Sequence, residues 1–360
     1  MQTKIQKPAT AGTKIQGAAT VAQLGEFDEL IDARSPAEYA DDHIPGAISC
    51  PVLDDAQRAR VGTLYQASPF EARKVGAVWV ARNVADHIER LFADKPRDWR
   101  PLVYCWRGGQ RSGAFTHILR QIGWDAQRLE GGYKAWRRHV IDELALLPQR
   151  FDYRVINGAT GSGKSRLLEA LADQGAQVLH LEELASHKGS VLGPLPQTPQ
   201  PSQRSFESRI HAQLSRFDAE RPVYVEAESR RIGSVQLPDA LLAAIRAAPG
   251  LRIAATLRAR VDFLLQDYDY FLADPAWLIE RLEQLTGLQS RETVARWMAL
   301  ARGGEFPELV EELLEQHYDP LYQRSQAKNF AGFDAAIRIE SDDLSPSGIG
   351  RLARAILARA

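Results

Sequence analysis

Apolar residues gather in short runs, and most of these runs are followed by a helical repeat. The runs Glu29-Leu30-Ile31-Asp32-Ala33, Leu102-Val103-Tyr104, Tyr153-Arg154-Val155-Ile156-Asn157 and Val223-Tyr224-Val225-Glu226 read as strands. Ser35 precedes Pro36 and Glu38 as a helix cap, and the turn His43–Ala47 leads into another strand at Ile48. Helical patterns cover Phe70–Val78, Ser112–Ile122, the stripe Leu167, Leu168 and Leu171, and residues 238–247 and 259–266, with a strand at 251–257 before the last. Strand and helix in alternation predict parallel α/β sheets. From Trp277 to about Ala327 the pattern is helical throughout, as in an appended helical region.

The expected organisation is a disordered N-terminus over 1–20, one α/β domain over 21–148 and a second over 149–360. The boundary falls where the helix through Val140, Leu144 and Leu147 meets Pro148. A chain of 360 residues exceeds one comfortable core, which agrees with two domains. The polar start MQTKIQKPATAGTKIQG lacks the apolar core of a signal peptide, and no run reaches the length of a membrane span. Two cysteines, Cys50 and Cys105, build no disulfide framework, so a reducing, cytoplasmic setting is expected. A net charge of −1 carries no global argument for nucleic acid, although arginines cluster at Arg230 and Arg231, Arg258 and Arg260, and Arg351 and Arg354.

Two stretches carry chemistry. In Tyr104-Cys105-Trp106-Arg107-Gly108-Gly109-Gln110-Arg111-Ser112 a cysteine ends an apolar run inside a glycine loop that opens a helix. Backbone N–H groups, the helix N-terminus, Arg107 and Arg111 would together favour an ionised sulfur. Cys50, after an apolar strand and before Pro51, reads as a small core residue. The second stretch, Gly158-Ala159-Thr160-Gly161-Ser162-Gly163-Lys164-Ser165, fits G-x-x-x-x-G-K-[ST] between a strand and a helix, the context of a P-loop. Its backbone would bind phosphate oxygens, Lys164 would add charge, and Ser165 could reach Mg²⁺. Glu226 and Glu228 end a neighbouring strand, with Glu182 on another; they serve a metal or ligand, or else cap helices or pair with Arg230 and Arg231. Gly76 falls mid-helix, where glycine costs about 1 kcal/mol against alanine, so close packing or a ligand is expected there. His187 and Lys188 sit in a glycine-containing loop that phosphates or RNA could meet.

The segments DARSPAEYADDHIPGA and GGYKAW around the cysteine loop resemble the rhodanese family over roughly residues 25–145. In that resemblance Asp32, Arg34, Glu38, His43 and Gly46 brace the fold beneath the active loop. A rhodanese domain joined to a P-loop resembles the bacterial tRNA 2-selenouridine synthase family, as do His180–Ser190, Gln200–Gln203 with Phe206-Glu207, Glu228–Gly233 and His317–Tyr322. Ala227 and Lys188 depart from its usual pattern, where an acid and an arginine stand.

The resemblance implies a rhodanese-like α/β domain followed by a P-loop NTPase-like parallel α/β domain with a helical C-terminal region. It implies a transferase that converts wobble 2-thiouridine to 2-selenouridine in tRNA, gripping the anticodon arm. The co-substrates would be selenophosphate and geranyl diphosphate, with Cys105 carrying selenium as S-selanylcysteine. Beside the resemblance, the P-loop residues Gly158, Gly161, Ser162, Gly163, Lys164 and Ser165, with Glu226 and Glu228, are expected to take either the diphosphate of the prenyl donor or a nucleotide. Three rival readings are an ATP-dependent kinase with a rhodanese appendage, a plain thiosulfate sulfurtransferase, and a non-catalytic phosphate- or tRNA-binding module.

Overall fold

The computed structural model describes residues 17–329 and 336–359. The chain divides into two compact units, the first ending at Val140 and the second starting at Ile141.

The first unit is built on a parallel sheet in the order β1-β5-β4-β2-β3. Its strands are β1 (Ala18–Ala19), β2 (Glu29–Asp32), β3 (Ile48–Ser49), β4 (Pro101–Tyr104) and β5 (Gln127–Leu129). Its helices are α1 (Pro36–Asp41), α2 (Asp55–Ala67), α3 (Pro69–His87), α4 (Gln110–Ile122) and α5 (Gly132–Leu144). The central strand β4 is buried at every position, as a strand covered on both faces must be. Ala18 and Ala19 fall inside the stretch expected to be disordered, yet they form an edge strand. Their register on Arg128 and Leu129 is held by Glu130 N–H donating to Ala19 O at 2.8 Å. Residues 1–16 lie outside the described residues.

Beneath the cysteine loop, Asp32 and Arg34 form a fully buried pair, with Arg34 Nη2 at 2.6 Å from an Asp32 oxygen. The Arg34 guanidinium lies 3.9 Å from the Tyr133 ring centroid, and Tyr133 donates its hydroxyl to Asp42 at 2.7 Å. His43 stacks on Tyr39 with centroids 3.9 Å apart. Gly76, buried in α3, faces Val61 of α2; a Cβ there would meet it at 3.6 Å, an ordinary contact, so the helix pair does not demand glycine for space.

The second unit is a parallel sheet in the order β12-β11-β6-β8-β7 with an antiparallel hairpin β9–β10 beside it. In chain order it runs β6 (Tyr153–Gly158), α6 (Lys164–Asp173), β7 (Gln177–Leu179), α7 (Leu181–Ala185), α8 (Gln203–Leu214), β8 (Val223–Glu226), β9 (Arg231–Ile232) and β10 (Val235–Gln236). After these come α9 (Asp239–Ala247), β11 (Gly250–Ala254) and α10 (Leu257–Asp267). The helical region is α11 (Asp269–Ala273), α12 (Pro275–Glu283), α13 (Arg291–Gly303), α14 (Phe306–Leu313) and α15 (Asp319–Asn329). These helices pack around Phe271, Leu282, Leu285 and Trp297 as a core of their own. The chain then returns to the sheet through β12 (Ile337–Glu340), and α16 (Pro346–Leu357) packs on α6 through Ile349, Leu352 and Ile356. No expectation of this return comes from the sequence, because β12 is only four residues long and largely exposed.

Candidate functional site

Two candidate sites stand out, one in each unit. In the first, β4 delivers Cys105 to the N-terminal end of α4. Its Sγ lies 3.2 Å from the hydroxyl of Ser112 in the first turn of that helix. The loop is locked from the other side by the segment that opens α5. Tyr133 N–H donates to Cys105 O at 2.9 Å and Lys134 N–H to Trp106 O at 3.0 Å. This contact requires Gly132: its φ is +60°, and a Cβ would fall 2.2 Å from Cys105 O. The conformation of the cysteine loop is thus set by GGYKAW, more than twenty residues away.

Of the two arginines, Arg107 is exposed, whereas Arg111 donates to Glu38 at 2.7 Å. Glu38 also accepts from Arg58 at 2.9 Å and from Ser35 N–H at 3.2 Å. Burial works against the charged form of this carboxylate, but Arg111, the Ser35 amide and Arg58 outweigh it and hold Glu38 below the usual carboxylate range. Cys50 is fully buried, and burial together with the charges of Glu29 and Asp32 pushes its thiol up to about 12. It is a core residue rather than a nucleophile.

In the second unit the turn from β6 to α6 forms the phosphate loop. Lys164 Nζ donates to Gly158 O at 2.9 Å, and Ser165 donates its hydroxyl to Glu182 at 2.7 Å. Glu182 N–H donates to Glu226 at 2.7 Å, and His180 Nδ1 lies 3.3 Å from the same Glu226 oxygen. Burial disfavours the charged imidazole, yet Glu226, Glu182 and Glu183 outweigh it and push His180 up to about 9. Glu226 is 1 % exposed, and its other oxygen, Oε2, has no hydrogen-bond partner among the described residues. Burial, then the charges of Glu182 and Glu226, push the Glu228 carboxyl well above the usual range. Gly189 lets its loop close on these acids: a Cβ would lie 2.9 Å from a Glu182 oxygen and 3.1 Å from both oxygens of Glu228.

One pocket collects Gly158, Gly161, Gly163, Lys164, Ser165, Glu182, Glu228 and Lys188. Lys188 stands at its wall, held by Asp267 at 2.6 Å and over the Tyr268 ring at 4.0 Å. His187 accepts from Gly189 N–H at 3.1 Å, shaping that loop, and burial lowers its pKa. Ser162 is buried beneath the loop. Arg230 and Arg231 are exposed by the β9–β10 hairpin, where Arg230 donates to Asp239 at 2.6 Å and Arg231 to Gly233 O at 3.4 Å. Arg230 therefore pairs with Asp239 rather than with either acid: Glu228 lines the phosphate pocket, whereas Glu226 is buried behind it against the Glu182 amide and His180. Glu182 is the acid that the sequence reading undervalued: it is the one bonded to Ser165, and only its place after β7, a strand next to β8, brings it there.

Beside the phosphate pocket lies an apolar cavity lined by Leu192, Leu265, Phe271, Leu278, Phe306, Leu309, Val310, Leu313 and Tyr318, among others. Thr160, Ser190, Leu264 and Tyr268 line both spaces. The sequence offered many apolar candidates for such a cavity and no means of choosing among them, because its walls come from the P-loop, the 190 loop, α10, α11, α12 and α14 together.

Residues 17–139 match the family model of the rhodanese-like domain, and residues 151–298 match that of the tRNA 2-selenouridine synthase AAA domain. A tRNA 2-selenouridine synthase of Nitrosomonas europaea is 36% identical over 260 residues, which are 71% of this chain and 66% of that protein. The protein of the same name in Marinobacter nauticus is 32% identical over 326 residues, or 81% of this chain and 87% of the relative. That of Bdellovibrio bacteriovorus is 30% identical over 341 residues, with the same shares. With both domain types matched in this order and such relatives aligned over most of their length, the chain belongs to the tRNA 2-selenouridine synthase family.

Proposed function

We propose that this chain is a transferase that converts 2-thiouridine to 2-selenouridine at the wobble position of tRNA, with selenophosphate as selenium donor and through an S-geranylated intermediate. The observation that carries the reading is the apolar pocket that shares four lining residues with the phosphate pocket. Such a pair of spaces suits a diphosphate with a hydrocarbon tail, because the tail gains by leaving water while the head keeps polar partners. A nucleotide would instead bring a polar ribose and a base with unsatisfied edges to an apolar wall.

In the first step the thiocarbonyl sulfur of the uridine attacks the allylic carbon of geranyl diphosphate, and the carbon–oxygen bond to diphosphate breaks. Lys164 and the backbone N–H groups of the loop stabilise the charge on the departing diphosphate. The site suits a magnesium ion arriving with that diphosphate. It offers hard oxygen donors, the Ser165 hydroxyl with Glu182 and Glu228, and Glu226 Oε2 is left without a partner beside them. When bound, the ion would neutralise the leaving group. In the second step the selenium of selenophosphate bonds to carbon 2 of the base, the carbon–sulfur bond breaks so that the geranylated sulfur leaves as the thiol, and water takes the phosphoryl group from selenium as phosphate; Cys105, in the loop that Gly132 braces, is the thiol that receives the selenium donor for this step. The tRNA is held by its anticodon arm, with the uridine turned out of its stack. The compartment is the cytoplasm, where a thiol can cycle; no described helix is long and apolar enough to cross a membrane.

The test is Lys164→Ala with geranyl diphosphate and tRNA. Loss of geranyl transfer with Cys105 chemistry intact supports the assignment; untouched geranyl transfer with selenation abolished sinks it. The kinase reading predicts instead ATP turnover that needs Lys164 and no tRNA.

A further inference from the structure

The segment His317-Tyr318-Asp319-Pro320-Leu321-Tyr322 has no task in the reading above, yet it touches both spaces. Tyr318 lines the apolar cavity and Tyr322, one turn on, lines the phosphate pocket. Between them Asp319 accepts from both Nη atoms of Arg260, at 3.0 and 2.6 Å. The same guanidinium donates through Nε to the main-chain oxygen of Thr160 at 2.8 Å. Thr160 belongs to the phosphate loop and lines both spaces. Arg260 is only 6 % exposed.

One planar fork therefore joins the loop that grips phosphate to the junction that walls the cavity. Its geometry is fixed, and its bonds to Asp319 are charge-assisted, with the guanidinium buried and the carboxylate partly exposed. A displacement of Asp319 must either carry Thr160 with it or break those bonds. We propose that Arg260 and Asp319 are positioning residues that couple the two spaces, so that a tail filling the apolar cavity sets the phosphate loop for its diphosphate head. This rests on the reading of the ligand as a diphosphate with an apolar tail. Neither residue touches the reacting atoms; both act through Thr160 and the start of α15.

Coupling predicts a preference that depends on the tail. The measurement is binding of geranyl diphosphate and of inorganic diphosphate to the full chain with magnesium, alongside geranyl transfer at saturating donor. Wild type should prefer the prenylated ligand. In Arg260→Lys, which keeps the charge and loses the fork, and in Asp319→Asn, that preference should shrink about tenfold, within the usual range of coupling between sites. Transfer at saturation should fall with it, while the affinity for inorganic diphosphate stays within about twofold. The double variant Arg260→Met with Asp319→Leu should lose no more than Arg260→Met alone, as for residues acting as one unit. Should Asp319→Asn fail to fold, Arg260→Lys carries the test. Equal weakening of both ligands, or losses that multiply in the double variant, would overturn the coupling while the ligand reading stands. A wild type with no preference for the prenylated ligand overturns both.

Discussion

At the scale of single residues, the chain sorts its two cysteines by surroundings. Cys105 ends a buried strand at a helix N-terminus with a hydroxyl 3.2 Å away, whereas Cys50 is sealed in the core with its thiol pushed up to about 12. Cys105→Ala should stop selenation and leave the geranylated nucleoside to accumulate, and Cys50→Ala should change neither product; nucleoside mass spectrometry reads both. Glu38 makes a second prediction. Its folded pKa is depressed, so it contributes stability that is present above the ordinary carboxylate pKa and lost as pH falls through the folded value. Glu38→Gln should flatten the loss of stability below about pH 4.5 and leave the slope at neutral pH unchanged in denaturant titrations. The phosphate-loop residues were legible because one short motif contains them all. The Ser165–Glu182 and Arg111–Glu38 partnerships were not, since each joins residues that only the fold brings together.

At the scale of elements, most strands and helices could be read from apolar runs and caps. The central strands are buried on both faces and so carry unbroken apolar runs, and Ser35 with Pro36 and Glu38 announces α1. The elements that escaped are those that packing, not patterning, creates. β1 is two residues long, β12 is exposed, and the helix expected to reach Pro148 stops at Leu144, with Pro148 in a separate 3₁₀ turn. Two glycines test the difference between necessity and tolerance. Gly132→Ala would force a residue at φ +60° and place Cβ 2.2 Å from Cys105 O. It should destabilise the first unit by more than about 1 kcal/mol and cut selenation while sparing geranyl transfer. Gly76→Ala meets Val61 at an ordinary distance and lies in a helix, so it should raise stability by about 0.5–1 kcal/mol in thermal or denaturant unfolding.

At the scale of the whole molecule, one unit carries a thiol and the other a phosphate loop beside an apolar cavity, so the two proposed steps would have two places. Net charge gives no reason to expect tRNA, and a global count would miss a local arginine face. If the anticodon arm is gripped through phosphates, affinity should fall steeply and linearly on logarithmic axes as salt rises, and a salt-independent affinity would contradict that grip. The division of labour is tested most directly by mass spectrometry of nucleosides from 2-thiouridine tRNA incubated with magnesium, geranyl diphosphate and selenophosphate. Selenouridine from wild type, a geranylated intermediate accumulating in Cys105→Ala, and neither product from Lys164→Ala is the predicted result. Selenouridine formed by Lys164→Ala, or no modified nucleoside from the wild-type chain, would contradict the account.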